Sequence, residues 1–298
     1  MTDPAVERDA AEAASAFSHP PVEPDVSAAY GEHPDQVVDF YAPRGPSHAA
    51  AVPLVVLLHG GAWRAPYDRQ HVTPFADFLA RRGFAVANVE YRRGSSSVPR
   101  QGAEAAEGPI AGRWPETFDD VAAAMDALPG LAGSALPQAD VRRVVVTGHS
   151  AGGHLALWAA ARHLLPPDAP AGWRLPSPPR LRGVVALAPI ADFTVAEDLG
   201  VCGGASGQLL GGKEYFAGRL PYADPAALLP TGIATAIVQG REDIVVPEQV
   251  AEAYVGAAAQ AGELVGLTLL DGVGHFPLID PAADACAVVC EEISQLAW

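Results

Sequence analysis

Val144-Val145-Val146-Thr147-Gly148-His149-Ser150-Ala151-Gly152-Gly153-His154-Leu155-Ala156-Leu157 is the stretch on which the reading of the chain turns. A β-branched apolar run stops at a glycine, a serine stands between two glycines, and a helix-forming run follows directly. This is the sequence form of a strand–turn–helix elbow, G-x-S-x-G, tight enough to force the serine into an unfavourable backbone conformation. Only small residues fit two positions before and after it, hence Gly148 and Gly152. The turn lifts the Ser150 hydroxyl to the carboxyl edge of a sheet and points the next helix N-terminus at it.

Upstream, residues 53–58 form a continuous apolar run that fits a central strand covered on both faces. It ends in His59-Gly60-Gly61-Ala62-Trp63-Arg64. Glycines directly after a buried strand let backbone N–H groups turn into a cavity, where they can hold an oxygen that becomes negative during acyl transfer. Gly61, Ala62 and Ala151 are the candidate donors. His59 reads as a structural hydrogen-bonding residue. Trp63 reads as either a pocket wall or core packing, and His149 and Phe276 are further pocket candidates.

The other predicted strands are 36–41 (an edge), 84–89, 142–147, 183–188, 233–239 and 265–270. Helices are expected over 72–82, from Trp114 to Leu128, over 154–162 and 248–261, and from 281 to 296. Strands alternating with helices imply a doubly wound, mostly parallel α/β sheet flanked by helices, as one domain over 1–298. Residues 1–30 form an extension, alanine-rich and then proline-rich, either packed as a helix over the active-site side or mobile. Residues 94–112 read as a variable glycine/serine-rich loop and 166–179 as a surface excursion. Residues 193–230 have the length and composition of a short cap or lid.

At 298 residues, 49% hydrophobic and 18% charged, the chain reads as globular. A formal net charge of −16 argues against nucleic acid and anionic membrane surfaces as partners. No stretch is apolar for long enough to span a bilayer, and residues 1–18 lack the pattern of an export signal. Cys202, Cys286 and Cys290 show neither metal-ligand spacing nor a disulfide framework. A reduced, cytoplasmic setting without a metal or cofactor is the expectation.

A serine hydroxyl is a weak nucleophile and needs a base, itself oriented by an acid. Asp243 lies on the loop after one late strand and His275 on the loop after the next, giving the order Ser…Asp…His. Glu242 competes for the acid role, but the Gly-x-x-Asp-x-x-Val-Pro spacing favours its neighbour. The remaining histidines fall in the elbow, on helices or near the N-terminus. Arg92 and Asp120 read as a scaffold ion pair.

The text His59 to Trp63, Gly148 to Leu155, Gly240 to Pro247 and Gly274-His275-Phe276 resembles the α/β-hydrolase superfamily. The likeness covers about residues 36–298 and is greatest to the compact esterase and kynurenine formamidase-like branch. It implies Ser150 as nucleophile, His275 as base, Asp243 as orienting acid, and Gly61 with Ala151 as oxyanion donors. It implies a small-molecule ester substrate or, as the alternative, an aryl formamidase-type amide, with no cofactor. One departure is Ala62, where formamidases often carry an aromatic residue. A non-catalytic binder on the same scaffold is the reading from another class, but such proteins usually lose a triad member and here all three are present.

Overall fold

The computed structural model describes residues 3–44, 51–94 and 110–298. Its strands are β1 (Val26–Ala29), β2 (Val37–Tyr41), β3 (Val52–Leu58), β4 (Ala85–Val89), β5 (Ala139–His149), β6 (Gly183–Leu187), β7 (Thr235–Gly240) and β8 (Gly266–Leu270). They form one sheet in the order β1-β2-β4-β3-β5-β6-β7-β8. β1 pairs antiparallel with β2 and β2 with β4, while every other pairing is parallel. The helices are α1 (Pro4–Ala16), α2 (Thr73–Arg81), α3 (Glu116–Ala135), α4 (Ala151–Ala161), α5 (Phe193–Asp198), α6 (Ala205–Leu209), α7 (Lys213–Ala223), α8 (Glu248–Gln260) and α9 (Asp284–Ala297).

The unbroken apolar run of β3 is explained by its place between β4 and β5, with every residue buried. Because strand side chains alternate, Leu54, Val56 and Leu58 join one core with residues of α3, α4 and α8, whereas Val55 and Leu57 join another with α2 and α9. Helices thus cover both faces. α4, the helix after the elbow, is buried at every position, as an all-round apolar helix must be. No described helix is long and apolar enough to cross a membrane.

Several expectations need correction. The predicted edge strand is instead covered by β1, which sequence pattern did not reveal because it is four residues long and mostly exposed. α3 continues past Leu128 to Ala135 through Pro129. The proline is exposed, while Leu128 and Ala132 carry the buried stripe across it. The excursion over 166–179 is mostly exposed but is anchored by Trp173, which is buried against Trp114, Phe118 and Trp158. The Trp173 indole also donates to Asp119 at 2.6 Å. The N-terminal extension does form a helix, packed against the loop that carries Phe276. Most of the predicted variable loop, 95–109, lies outside the described residues.

Candidate active site

Ser150 sits between β5 and α4 with φ 57° and ψ −118°, a conformation that costs a non-glycine residue of order 1–3 kcal/mol. Its N–H is held by the Leu187 carbonyl at 2.8 Å, and its own carbonyl accepts from His154 at 3.1 Å. A Cβ on Gly148 would lie 2.2 Å from the Gly152 oxygen, and one on Gly152 would lie 2.0 Å from the Leu58 oxygen. Both atoms met are backbone, so neither can move aside. The two glycines are therefore what allow the turn to close against β3.

Asp243 and His275 arrive on the loops after β7 and β8, whose parallel register brings Gly240 opposite Leu270. His275 Nδ1 donates to Asp243 Oδ2 at 2.6 Å, with both side chains almost wholly buried. The other Asp243 oxygen accepts the N–H groups of Val245 and Val246, each at 2.8 Å. Gln239 Nε2 adds a bond to Oδ2 at 3.2 Å. The carboxylate is thus fixed from several sides. Its sequence competitor Glu242 turns away, half-exposed, toward Arg8 at 3.4 Å.

The loop after β3 is anchored by His59. Its Nε2 meets Glu90 Oε1 at 2.8 Å, its ring stacks on Tyr91 with centroids 4.2 Å apart, and its carbonyl accepts the Tyr91 hydroxyl at 2.6 Å. This is the structural role expected of it. Beyond the anchor, Gly61, Ala62 and Trp63 take positive φ in succession (99°, 50° and 54°). Leu58 is paired with Gly148 across β3 and β5, so this strained turn lies beside the elbow. Gly61 and Ala62 line the cavity there, and Ala151 opens α4 directly behind Ser150.

The cavity holds about 210 Å³ and brings together Ser150, His275, His149 and Phe276 with the glycine loop. Trp63 does not line it. Its ring is fully buried, edge-on to His154 and Phe193 at 5.1 and 5.9 Å, so it is core packing and not a pocket wall. His149 is also buried, and its Nε2 donates to the His275 carbonyl at 3.0 Å. Burial, with the nearby His275, holds its pKa well below the usual histidine value. His154, buried in α4, donates to the Ala223 carbonyl at 2.9 Å, and burial lowers its pKa to about 3.

Other cavity residues escaped the sequence reading. Phe17, Tyr67 and His71 reach it from segments that carry no motif, Arg64 from the end of the glycine-loop stretch, and Cys202 from the 193–230 segment. Burial lowers the pKa of His71 to about 4, so it stands in the wall as a neutral ring. Among the described residues, no cluster of three or more His, Cys, Asp or Glu side chains could hold a metal ion.

The BD-FAE family model matches residues 38–256. The chain belongs to the BD-FAE family. A curated rice protein (Oryza sativa subsp. japonica), described as a probable isoprenylcysteine alpha-carbonyl methylesterase ICME, is 24% identical over 258 residues, or 84% of this chain. The chain spans only 57% of that relative's length. Among solved structures, esterase B from Lactobacillus rhamnosis superposes with a TM-score of 0.73 at 18% identity, covering 98% of this chain and 91% of that one. A truncated carbohydrate esterase from gut microbiota gives a TM-score of 0.72 at 19% identity, covering 94% and 99%. The fold is that of the α/β-hydrolases. The BD-FAE match takes in the glycine loop, Ser150 and Asp243, whereas His275 and the whole of α1 lie outside it.

Proposed function

We propose that the chain is a serine esterase that cleaves small or aromatic carboxylic esters through Ser150, His275 and Asp243. The observation that carries this reading is the buried 2.6 Å bond between Asp243 and His275, with His275 lining the same cavity as Ser150 on its strained turn. The esterase descriptions of the relatives point the same way.

In this mechanism His275 takes the Ser150 proton as the hydroxyl attacks the ester carbonyl, and Asp243 stabilises the imidazolium that results. The carbonyl oxygen, now an anion, accepts from the N–H groups of Gly61, Ala62 and Ala151, each such donor being worth roughly 10²–10³ in rate. His275 then gives its proton to the leaving alcohol, and water repeats the sequence on the acyl-enzyme. The cavity is small and rimmed by Phe17, Tyr67 and Phe276, which suits a short acyl chain or a flat ring. We assign residues 193–230 as a cap on a single domain. Cys202 of this segment lines the cavity, and its carbonyl is tied to Arg64 at 2.6 Å.

The test is turnover of p-nitrophenyl acetate, p-nitrophenyl octanoate and N-formylkynurenine by wild type and Ser150→Ala, with fluorophosphonate labelling alongside. Expected are ester hydrolysis and labelling of the wild type, with turnover reduced by roughly 10⁴–10⁶ and no label in the variant. Formamide cleavage that outpaces ester cleavage would move the assignment to an amidohydrolase. An unlabelled wild type without turnover would make it a binder.

A further inference from the structure

The helix α1 lies outside the stretch that the family model matches, yet it touches both loops that carry the acid and the histidine. Arg8 Nη2 donates to the carbonyl of Glu242, the residue before Asp243, at 3.0 Å. One turn further on, Glu12 Oε1 accepts the N–H of Gly274, the residue before His275, at 3.1 Å across 262 positions of sequence. Ser15 and His19 both donate to Asp280, at 2.6 and 2.7 Å, closing the far end of the same loop. Between them Phe17 lies edge-on to Phe276 at 5.3 Å and to His71 at 5.9 Å, and lines the cavity with Ser150.

The fit at Gly274 is specific. A Cβ there would lie 2.1 Å from Glu12 Oε2, so the carboxylate fills the space that a side chain at 274 would occupy. That oxygen is buried without a hydrogen-bond partner, and burial raises the Glu12 carboxyl above its ordinary range. A carboxylate half-satisfied in this way costs stability. The loop it holds, Asp271-Gly272-Val273-Gly274-His275, has two glycines in five residues and little stiffness of its own. A base that must serve both nucleophile and leaving group tolerates little displacement, since a shift of about 1 Å can cost about a hundredfold in rate.

We propose that residues 4–19 form a strap that completes the active site, with Glu12 as a positioning residue for the Gly274–His275 peptide and Phe17 as a specificity residue in the cavity wall. The proposal rests on the reading of Ser150, His275 and Asp243 as the catalytic groups. Glu12 reaches the substrate only through His275. Phe17 meets it directly, as one face of the space beside Ser150.

The experiment compares full-length wild type, Glu12→Ala, Glu12→Gln, Phe17→Ala and Ser150→Ala on p-nitrophenyl acetate and octanoate at 25 °C, with a melting curve for each. Glu12→Ala should lower kcat about tenfold on both esters with KM changed less than about twofold. Glu12→Gln, whose amide oxygen can accept the same N–H, should restore kcat to within about twofold. Phe17→Ala should shift the octanoate-to-acetate ratio of kcat/KM by roughly fivefold. Wild-type kcat in Glu12→Ala, or a loss that follows only a lowered Tm and is not restored by glutamine, overturns the strap alone. Ester turnover that survives in Ser150→Ala overturns the catalytic reading and the strap with it.

Discussion

Asp243 and His275 stand 32 residues apart in sequence and 2.6 Å apart in space, and the same carboxylate oxygen that meets the imidazole also accepts from Gln239 at 3.2 Å. Two donors therefore converge on one oxygen, while the other oxygen is occupied by two backbone N–H groups. Such a group is held in one orientation, with both of its oxygens acting as acceptors.

That arrangement predicts the outcome of Asp243→Asn. Its amide oxygen would keep the bonds from Val245 and Val246, leaving an NH₂ aimed at His275 Nδ1 and Gln239 Nε2. The imidazole would be driven to the wrong tautomer, and kcat/KM should fall by roughly 10³–10⁴ with little change in Tm. Steady-state kinetics with a melting curve checks it; wild-type turnover would remove Asp243 from the mechanism.

Gly152→Ala should fail for a different reason. The added methyl would meet the Leu58 and His59 carbonyl oxygens at 2.0 and 2.5 Å, and both belong to the backbone of the central strand and its turn. We expect a loss above about 3 kcal/mol in urea unfolding, or no soluble protein, whereas Ser150→Ala should unfold like wild type. A Gly152→Ala protein of wild-type stability would show that the elbow is looser than its geometry implies.

Glu90 predicts an acid-limb stability loss. Burial by itself would raise its carboxyl, but the charge and hydrogen bond of His59, the Arg93 charge and the Arg69 N–H outweigh burial and hold the pKa to about 2, from 4.5. On acidification the unfolded chain takes up this proton first. The contribution, on the order of 3 kcal/mol, is complete above about pH 4.5 and is lost toward pH 2. Denaturant midpoints from pH 6 to 2 should fall less steeply for Glu90→Gln, starting from a lower value at pH 6.

Asp224 carries the opposite sign. Burial first, and the neighbouring Asp192 charge second, raise its pKa from 3.8 to about 7. The unfolded chain releases this proton near 3.8 and the folded one near 7, so stability declines as pH rises through that window and then levels. In Asp224→Asn an oxygen remains to accept from Phe193 and Ala226. The variant should match wild type near pH 4 and exceed it by a few kcal/mol at pH 8. Equal stability at both pH values would refute the assignment.

Much of the site was legible because its signals are local. The elbow needs fourteen consecutive residues: a β-branched run, two glycines around a serine and a helix former. Each states a constraint on its own backbone, and the clashes at Gly148 and Gly152 bear that out. The loops after β7 and β8 could be assigned to one sheet edge because parallel strands, joined by helices, must all end on the same side. Trp63 shows where local reading stops. Its sequence allowed wall or core, and only its packing on His154 and Phe193, from two other segments, made it core.

By itself the sequence determined the strand–helix alternation, the tight turn at Ser150, and the order in which serine, acid and histidine reach the sheet edge. Each of these follows from backbone sterics and hydrophobic periodicity within a few neighbouring residues. Tertiary structure alone decided that β1 covers the predicted edge, that Phe17, Tyr67 and His71 wall the cavity, and that Glu12 grips the loop of His275. These relationships join segments far apart in the chain, and their residues carry no periodicity or spacing that marks them. Their positions follow from how the packed layers close on one another, which is a property of the whole chain at once.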